Sequence, residues 1–166
     1  LFETGDKNVA QCVSCHGAHN VRRVSDPKSS VYPRNVPATC AKCHADKALM
    51  SKYGVSTKEV ADYNAGVHGM ALVKKGDLKA PSCASCHGNH GAVPLGLDEV
   101  VNVCGRCHTT ERDIFVQSKH LENDVRCVDC HSDHKITADN YDIFTSSKKG
   151  GCISCHKDEK SKAGVF

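Results

Sequence analysis

Apolar residues are sparse along this 166-residue chain and come in short bursts. No stretch approaches the roughly 20 consecutive apolar residues of a membrane span. No alternation of apolar and polar positions runs long enough to predict a sheet. Ser56-Thr57-Lys58-Glu59 has the form of a capping box, with Val60, Ala61 and Asn64 behind it, and predicts a short helix before His68. Residues 109–119 predict another turn or two of helix, ending near His120. Residues 21–39 hold Pro27, Pro33, Pro37 and Ser29-Ser30 and read as loop. Residues 135–151 are polar and turn-rich, and the closing KDEKSKAGVF contains no histidine or cysteine. The pattern predicts a mostly irregular chain with short α-helices and no significant sheet.

Composition sharpens a difficulty. Leu, Ile, Val and Phe total 33 residues, tryptophan is absent, and glycine is abundant at 13. This is near the one-fifth level below which chains tend to stay disordered. Side-chain burial alone is a poor match for the conformational entropy of ordering such a chain. Something other than side chains has to supply the core.

The cysteines point to what that is. All twelve fall into six C-x-x-C-H motifs. In order these are Cys12, Cys15 and His16; Cys40, Cys43 and His44; Cys83, Cys86 and His87; Cys104, Cys107 and His108; Cys127, Cys130 and His131; and Cys152, Cys155 and His156. C-x-x-C-H is the attachment sequence of c-type haem. Two thiols add across the vinyl groups of one macrocycle, and the adjacent imidazole bonds the iron. Zinc sites also use C-x-x-C pairs, but they ask nothing of the residue after the second cysteine. Disulfides ask nothing of it either. Six motifs of six, with no cysteine left over, favour six covalent haems c. The haems then become the core, with the polypeptide as a wrapper. They also change the charge. Each oxidised haem with two ionised propionates adds about −1, so the formal +3 of the polypeptide gives no reason to expect a nucleic-acid partner.

The motifs alternate in type. Three carry a second histidine three residues after the first: CVSCHGAH (12–19), CASCHGNH (83–90) and CVDCHSDH (127–134). Three lack it: CAKCH (40–44), CGRCH (104–108) and CISCH (152–156). We term these long and short motifs. Their strict alternation predicts three tandem two-haem repeats within one domain (1–166), at 1–66, 67–117 and 118–166. LFETGDKNVAQCVSCHGAHN (1–20) aligns with LVKKGDLKAPSCASCHGNHG (72–91), Gly5 falling on Gly76 and Asp6 on Asp77. On that alignment the first repeat starts part-way through.

Six irons held by two histidines each need twelve, and the chain has eleven. Beside the six motif histidines stand His19, His68, His90, His120 and His134, which we expect to be distal ligands. His19, His90 and His134 follow their motifs at a fixed spacing. His68 and His120 each precede a long motif. A side chain three residues on stays near its own motif histidine, so each of the three is expected to serve a neighbouring iron. Met50 and Met70 are expected to pack against porphyrin rather than ligate. The sixth iron is left with an open position, a non-histidine ligand, a ligand from another protein, or a histidine outside these residues. Repeat symmetry favours the last, upstream of Leu1, with the iron of the first or second motif affected.

The alternation of CxxCHxxH and CxxCH resembles the low-potential, bis-histidine multihaem cytochromes c, which include periplasmic shuttles and filament-forming extracellular cytochromes. The resemblance implies electron transfer along a row of close haems and little regular secondary structure. It implies redox-partner proteins or like subunits as partners, a periplasmic or extracellular location, and no enzymatic activity. The competing expectation is a multihaem oxidoreductase with one open, catalytic iron. The lysine-bearing C-x-x-C-K variant found in such enzymes is absent from this sequence.

Overall fold

The structure is a computed structural model that describes residues 5–137 and 152–156. Most of the turn-rich segment 135–151 and all of the last ten residues lie outside the described residues. Among the described residues every regular element is helical and there is no strand. None of the helices is long and apolar enough to cross a membrane.

In chain order the elements are α1 (Cys12–His16), a 3-10 turn (Pro33–Asn35), α2 (Val36–His44), α3 (Lys47–Met50) and a 3-10 turn (Ser51–Tyr53). Then come α4 (Glu59–Ala65), α5 (Val67–Gly69), a π-helical turn (Met70–Lys74) and α6 (Cys83–His87). A 3-10 turn (Leu97–Glu99), α7 (Val100–Cys104), α8 (Thr109–Phe115), α9 (Lys119–Glu122), α10 (Cys127–His131) and α11 (Cys152–Cys155) complete the set.

Three sequence expectations need correction. The loop predicted for 21–39 ends early, because α2 starts at Val36 with Pro37 in its first turn. Proline fits there, where its missing N–H has no intrahelical partner to lose. The helix after Ser56 forms at Glu59–Ala65, but without a capping box: Ser56 Oγ accepts from the Lys58 N–H at 3.3 Å. The predicted 109–119 helix divides into α8 and α9, and His120 sits inside α9.

The long motifs share one local structure. Each begins a five-residue helix, α1, α6 or α10. In each, the third helical residue reaches back to cap the N–H before the first cysteine. Ser14 Oγ accepts from Gln11 at 3.1 Å, Ser85 Oγ from Ser82 at 3.0 Å, and Asp129 Oδ2 from Arg126 at 2.7 Å. Each helix is then stopped by a residue at positive φ with extended ψ: Gly17 (74°, 169°), Gly88 (79°, 179°) and Ser132 (57°, 174°). That conformation turns the chain sharply and carries the next histidine away from its own motif. The short motif in α2 is built differently, as the last turn of a nine-residue helix. Upstream, Gly5 and Gly76 both have positive φ, at 70° and 75°. Asp6 and Asp77 each accept from the backbone N–H two residues on, at 2.8 and 3.0 Å.

Side-chain burial is slight. The buried hydrophobic residues are Met50, Tyr63, Leu72, Val100 and Val101, and of these only Leu72 is fully enclosed. A few long-range bonds tie the elements. The Tyr63 hydroxyl donates to the Pro81 carbonyl at 2.7 Å and so fixes α4 to the approach to α6. Arg34 Nε donates to the Val73 carbonyl at 3.0 Å. The Val67 N–H donates to the Ile136 carbonyl at 2.7 Å, which brings the segment after α10 against the start of α5.

Candidate haem-binding sites

Four pairs of imidazoles face one another across the molecule. Ring centroids are 6.2 Å apart for His16–His90, 6.2 Å for His68–His108, 5.9 Å for His87–His134 and 6.1 Å for His120–His156. Every pair joins a motif histidine to one of the other five. No pair joins a long motif's two histidines to each other. The two pairs made by His90 and His134 are close to parallel, with interplanar angles of 20° and 13°.

The separation is informative. Rings in van der Waals stacking lie closer, and hydrogen-bonded rings meet edge to edge. A metal–imidazole bond of about 2.0 Å, plus about 1.1 Å from nitrogen to ring centre, puts two trans ligands about 6.2 Å apart. The four centroid separations match that spacing. Among the described residues no three histidine, cysteine or acidic side chains converge as a metal-binding group. A tetrahedral zinc site needs four, whereas a haem iron, with four equatorial ligands from its porphyrin, needs two.

The His68–His108 gap opens into a cavity of about 500 Å³. Cys104, Cys107 and His108 of one motif line it, with His68 opposite and Pro81, Ser85 and Cys86 along one wall. All four groups needed to hold one haem c thus border a single space. Burial, then the neighbouring His108, lowers the His68 pKa and favours the neutral, metal-binding imidazole. Opposite His134, His87 Nδ1 lies 3.0 Å from the Val93 carbonyl. A proton on Nδ1 makes that bond and leaves Nε2 free for a metal, the usual outer contact of a ligating histidine. His134 Nδ1 lies 3.5 Å from Asp133 Oδ2.

The thiols of successive motifs lie close together. Cys40 is hydrogen-bonded to Cys83, which holds the Cys40 thiol down to about 7 and pushes Cys83 up. The sequence pairs Cys40 with Cys43 on one macrocycle, yet the thiol that Cys40 meets belongs to the next motif. Cys43 itself is half-buried in the last turn of α2, where its carbonyl accepts from the Asp46 N–H at 2.9 Å. One turn of helix separates Cys40 from Cys43, so the two side chains lie along the same face of α2. Burial, then the Cys127 and Cys86 thiols, raises Cys104 to about 11. Cys86 also feels Cys107, and Cys130 feels Cys152. Thiols of each successive pair of motifs, from the second to the sixth, therefore lie near enough to influence one another. The first motif joins through the Ser30 hydroxyl, which donates to the Cys15 carbonyl, and through His16 facing His90.

Three histidines stand outside the pairs. Among the described residues His19, His44 and His131 face no other imidazole, and all three are exposed. Met50 is buried and Met70 is 41% exposed. Arg126 was not singled out from the sequence. It lies buried immediately before Cys127, paired with Asp98 at 3.0 Å and Asp124 at 3.2 Å, with its Nε unpartnered. Nothing in the local pattern marks it, because its acidic partner Asp98 lies 28 residues away.

A family model described as Cytochrome c3 matches residues 5–109. The chain belongs to the cytochrome c3 family. It is therefore a multihaem c-type cytochrome, with covalently bound haem c and an electron-transfer function. This cytochrome is also similar to the "Cytochrome c-type protein NrfB" of Escherichia coli O6:H1 (strain CFT073), at 27% identity over 153 residues. That alignment covers 92% of the present chain and 67% of the relative. No solved structure matches this cytochrome.

Proposed function

We propose that the chain is an extracytoplasmic electron conduit with six haems c, one on each C-x-x-C-H motif, arranged as three tandem two-haem repeats (1–66, 67–117, 118–166). Thioether bonds attach them, to Cys12 and Cys15, Cys40 and Cys43, Cys83 and Cys86, Cys104 and Cys107, Cys127 and Cys130, and Cys152 and Cys155. His16, His44, His87, His108, His131 and His156 are the motif-side ligands. His90 completes the iron of His16, His134 that of His87, His68 that of His108, and His120 that of His156. The bound haems supply reversible one-electron chemistry at iron. The polypeptide fixes ligand identity, spacing and local charge, which are its means of setting potentials. Pairing histidines between motifs ties neighbouring macrocycles together, so the same bonds that hold the fold also keep the row continuous. Redox-partner proteins or like subunits take electrons at its ends.

The observation that carries this reading is the set of four imidazole pairs at 5.9–6.2 Å. The mass of the intact holoprotein, with a pyridine haemochrome assay, should give six haems that survive acid–acetone extraction. Replacing His90→Met should raise the potential of a single haem, because methionine–histidine ligation lies above bis-histidine. A smaller haem count, or a H90M variant with an unchanged redox titration, refutes the assignment.

One observation favours a second reading. His44 and His131 face no imidazole among the described residues, and an iron held on one side only could bind substrate. An oxidoreductase needs cyanide-sensitive turnover of a small oxyanion by the isolated protein; a conduit passes electrons without it.

A further inference from the structure

His90 and His134 each reach back to the long motif before their own, where they face His16 and His87. The two sites match closely. Their imidazole planes are nearly parallel, at 20° and 13°. Each donor follows a motif helix that stops at a positive φ, at Gly88 in one case and Ser132 in the other. Each donor's backbone N–H is capped by the side chain before it. Asn89 Oδ1 accepts from His90 at 2.8 Å, and Asp133 Oδ1 accepts from His134 at 2.7 Å.

The capping side chains differ in charge but not in shape. The cap needs a single oxygen, which both asparagine and aspartate supply. The other head atom is a neutral amide nitrogen in Asn89 and a carboxylate oxygen in Asp133. That oxygen, Asp133 Oδ2, lies 3.5 Å from His134 Nδ1. The turn does not call for a charge there, because Asn89 caps His90 in the same way without one. A proton on Nδ1 faces the carboxylate and leaves Nε2 for a metal. In that arrangement an outer carboxylate makes a ligating imidazole a stronger donor. Across the pair, His87 Nδ1 has the Val93 carbonyl at 3.0 Å. Both imidazoles of this site are therefore backed by an oxygen acceptor.

Resting on the haem assignment above, we infer that Asp133 lowers the reduction potential of the iron between His87 and His134, and that positions 89 and 133 tune two otherwise matching sites separately. Two effects act in the same direction. A more basic imidazole donates more charge to iron, and a nearby carboxylate attracts the extra positive charge of the oxidised state. Both stabilise ferric over ferrous iron. Asp133 is a positioning residue, since it acts on the ligand rather than on the iron. Its side chain is 74% exposed, so water screens much of its charge. At about 7 Å from the iron, with an effective dielectric between that of water and about half of it, one charge changes the ferrous-to-ferric ratio by about three- to tenfold.

The test uses the haem-loaded protein and two reciprocal variants, Asp133→Asn and Asn89→Asp. Each keeps the oxygen that caps the histidine N–H, so the turn survives and only the charge changes. In a spectroscopic redox titration, D133N should raise the midpoint of one haem, changing its ferrous-to-ferric ratio at fixed potential by about three- to tenfold. N89D should lower the midpoint of a different haem, the one that H90M raises. Both variants should keep the low-spin electron paramagnetic resonance signals of the wild type, which shows that His134 and His90 still ligate. An unchanged midpoint in either variant, or a shift of the opposite sign, overturns the inference. So does a loss of low-spin signal in D133N, because the carboxylate would then serve the fold rather than the potential. Haem count and the H90M titration do not involve Asp133, so failure here leaves the conduit reading standing. An unresponsive H90M variant would instead remove the basis of both.

Discussion

At the scale of single residues, two kinds of position matter: those that bond haem and those that bend the chain between ligands. The first kind has its proposed signature in the sequence, because thioether attachment fixes the spacing of two cysteines and a histidine whatever the fold. The second kind was not visible there. Gly17 and Gly88 read only as glycines, and their role emerges from a φ of 74° and 79° with ψ near extended. A side chain in that region costs about 1–3 kcal/mol. Ser132 adopts it with φ 57° and is offset by a 2.9 Å hydrogen bond from its hydroxyl to the Lys135 carbonyl. Alanine has no such compensation. A Cβ on Gly88 would meet nothing within 4 Å, so Gly88→Ala isolates the backbone effect. Denaturant unfolding of the holoprotein should show a loss of about 1–3 kcal/mol. The redox titration should also change for the haem that His90 serves.

At the scale of elements, the helices are short, and α1, α2, α6, α7, α10 and α11 carry motif residues while α5 and α9 carry His68 and His120. Their existence was partly legible. Residues 59–65 and 109–115 carried helical patterns, and proline in residues 21–39 correctly marked a break before α2, though not that Pro37 would enter it. The pairing of elements was hidden, since no local pattern encodes a contact 74 residues away such as His16–His90. What the sequence did contain was the alternation of long and short motifs, from which backward reach follows once one pair is known. Gly66 shows how a pairing is enforced. A Cβ there would meet the His134 carbonyl oxygen at 2.9 Å and the Ile136 oxygen and nitrogen at 3.0 and 3.1 Å. All three are backbone atoms and cannot swing aside. Gly66→Ala should push the segment after α10 away from α5, costing about 1–3 kcal/mol as overpacking does. The His87–His134 pair should open with it. The measurable outcome is one haem per chain converted from low to high spin, with the His68–His108 haem retained. A variant with all spin states unchanged would show that this contact does not position His134.

At the scale of the whole molecule, the unusual quantity is side-chain burial. Only five hydrophobic residues are buried among those described, and three of them, Leu72, Val100 and Val101, are aliphatic. At about 25 cal/mol per Å², so little side-chain burial falls far short of a backbone ordering cost of about 1–2 kcal/mol per residue. On the proposed assignment the macrocycles supply the missing contribution, which would make haem attachment a folding event as much as a functional one, as metal binding is for small metal-dependent domains. Replacing all twelve cysteines by serine, or producing the chain without haem attachment, should therefore give a polypeptide with no cooperative thermal transition. Its far-ultraviolet circular dichroism should resemble a disordered chain, while the holoprotein melts cooperatively. A haem-free chain that melts sharply would mean that side chains alone suffice, and that the open gaps between the imidazole pairs are not what the fold is built around.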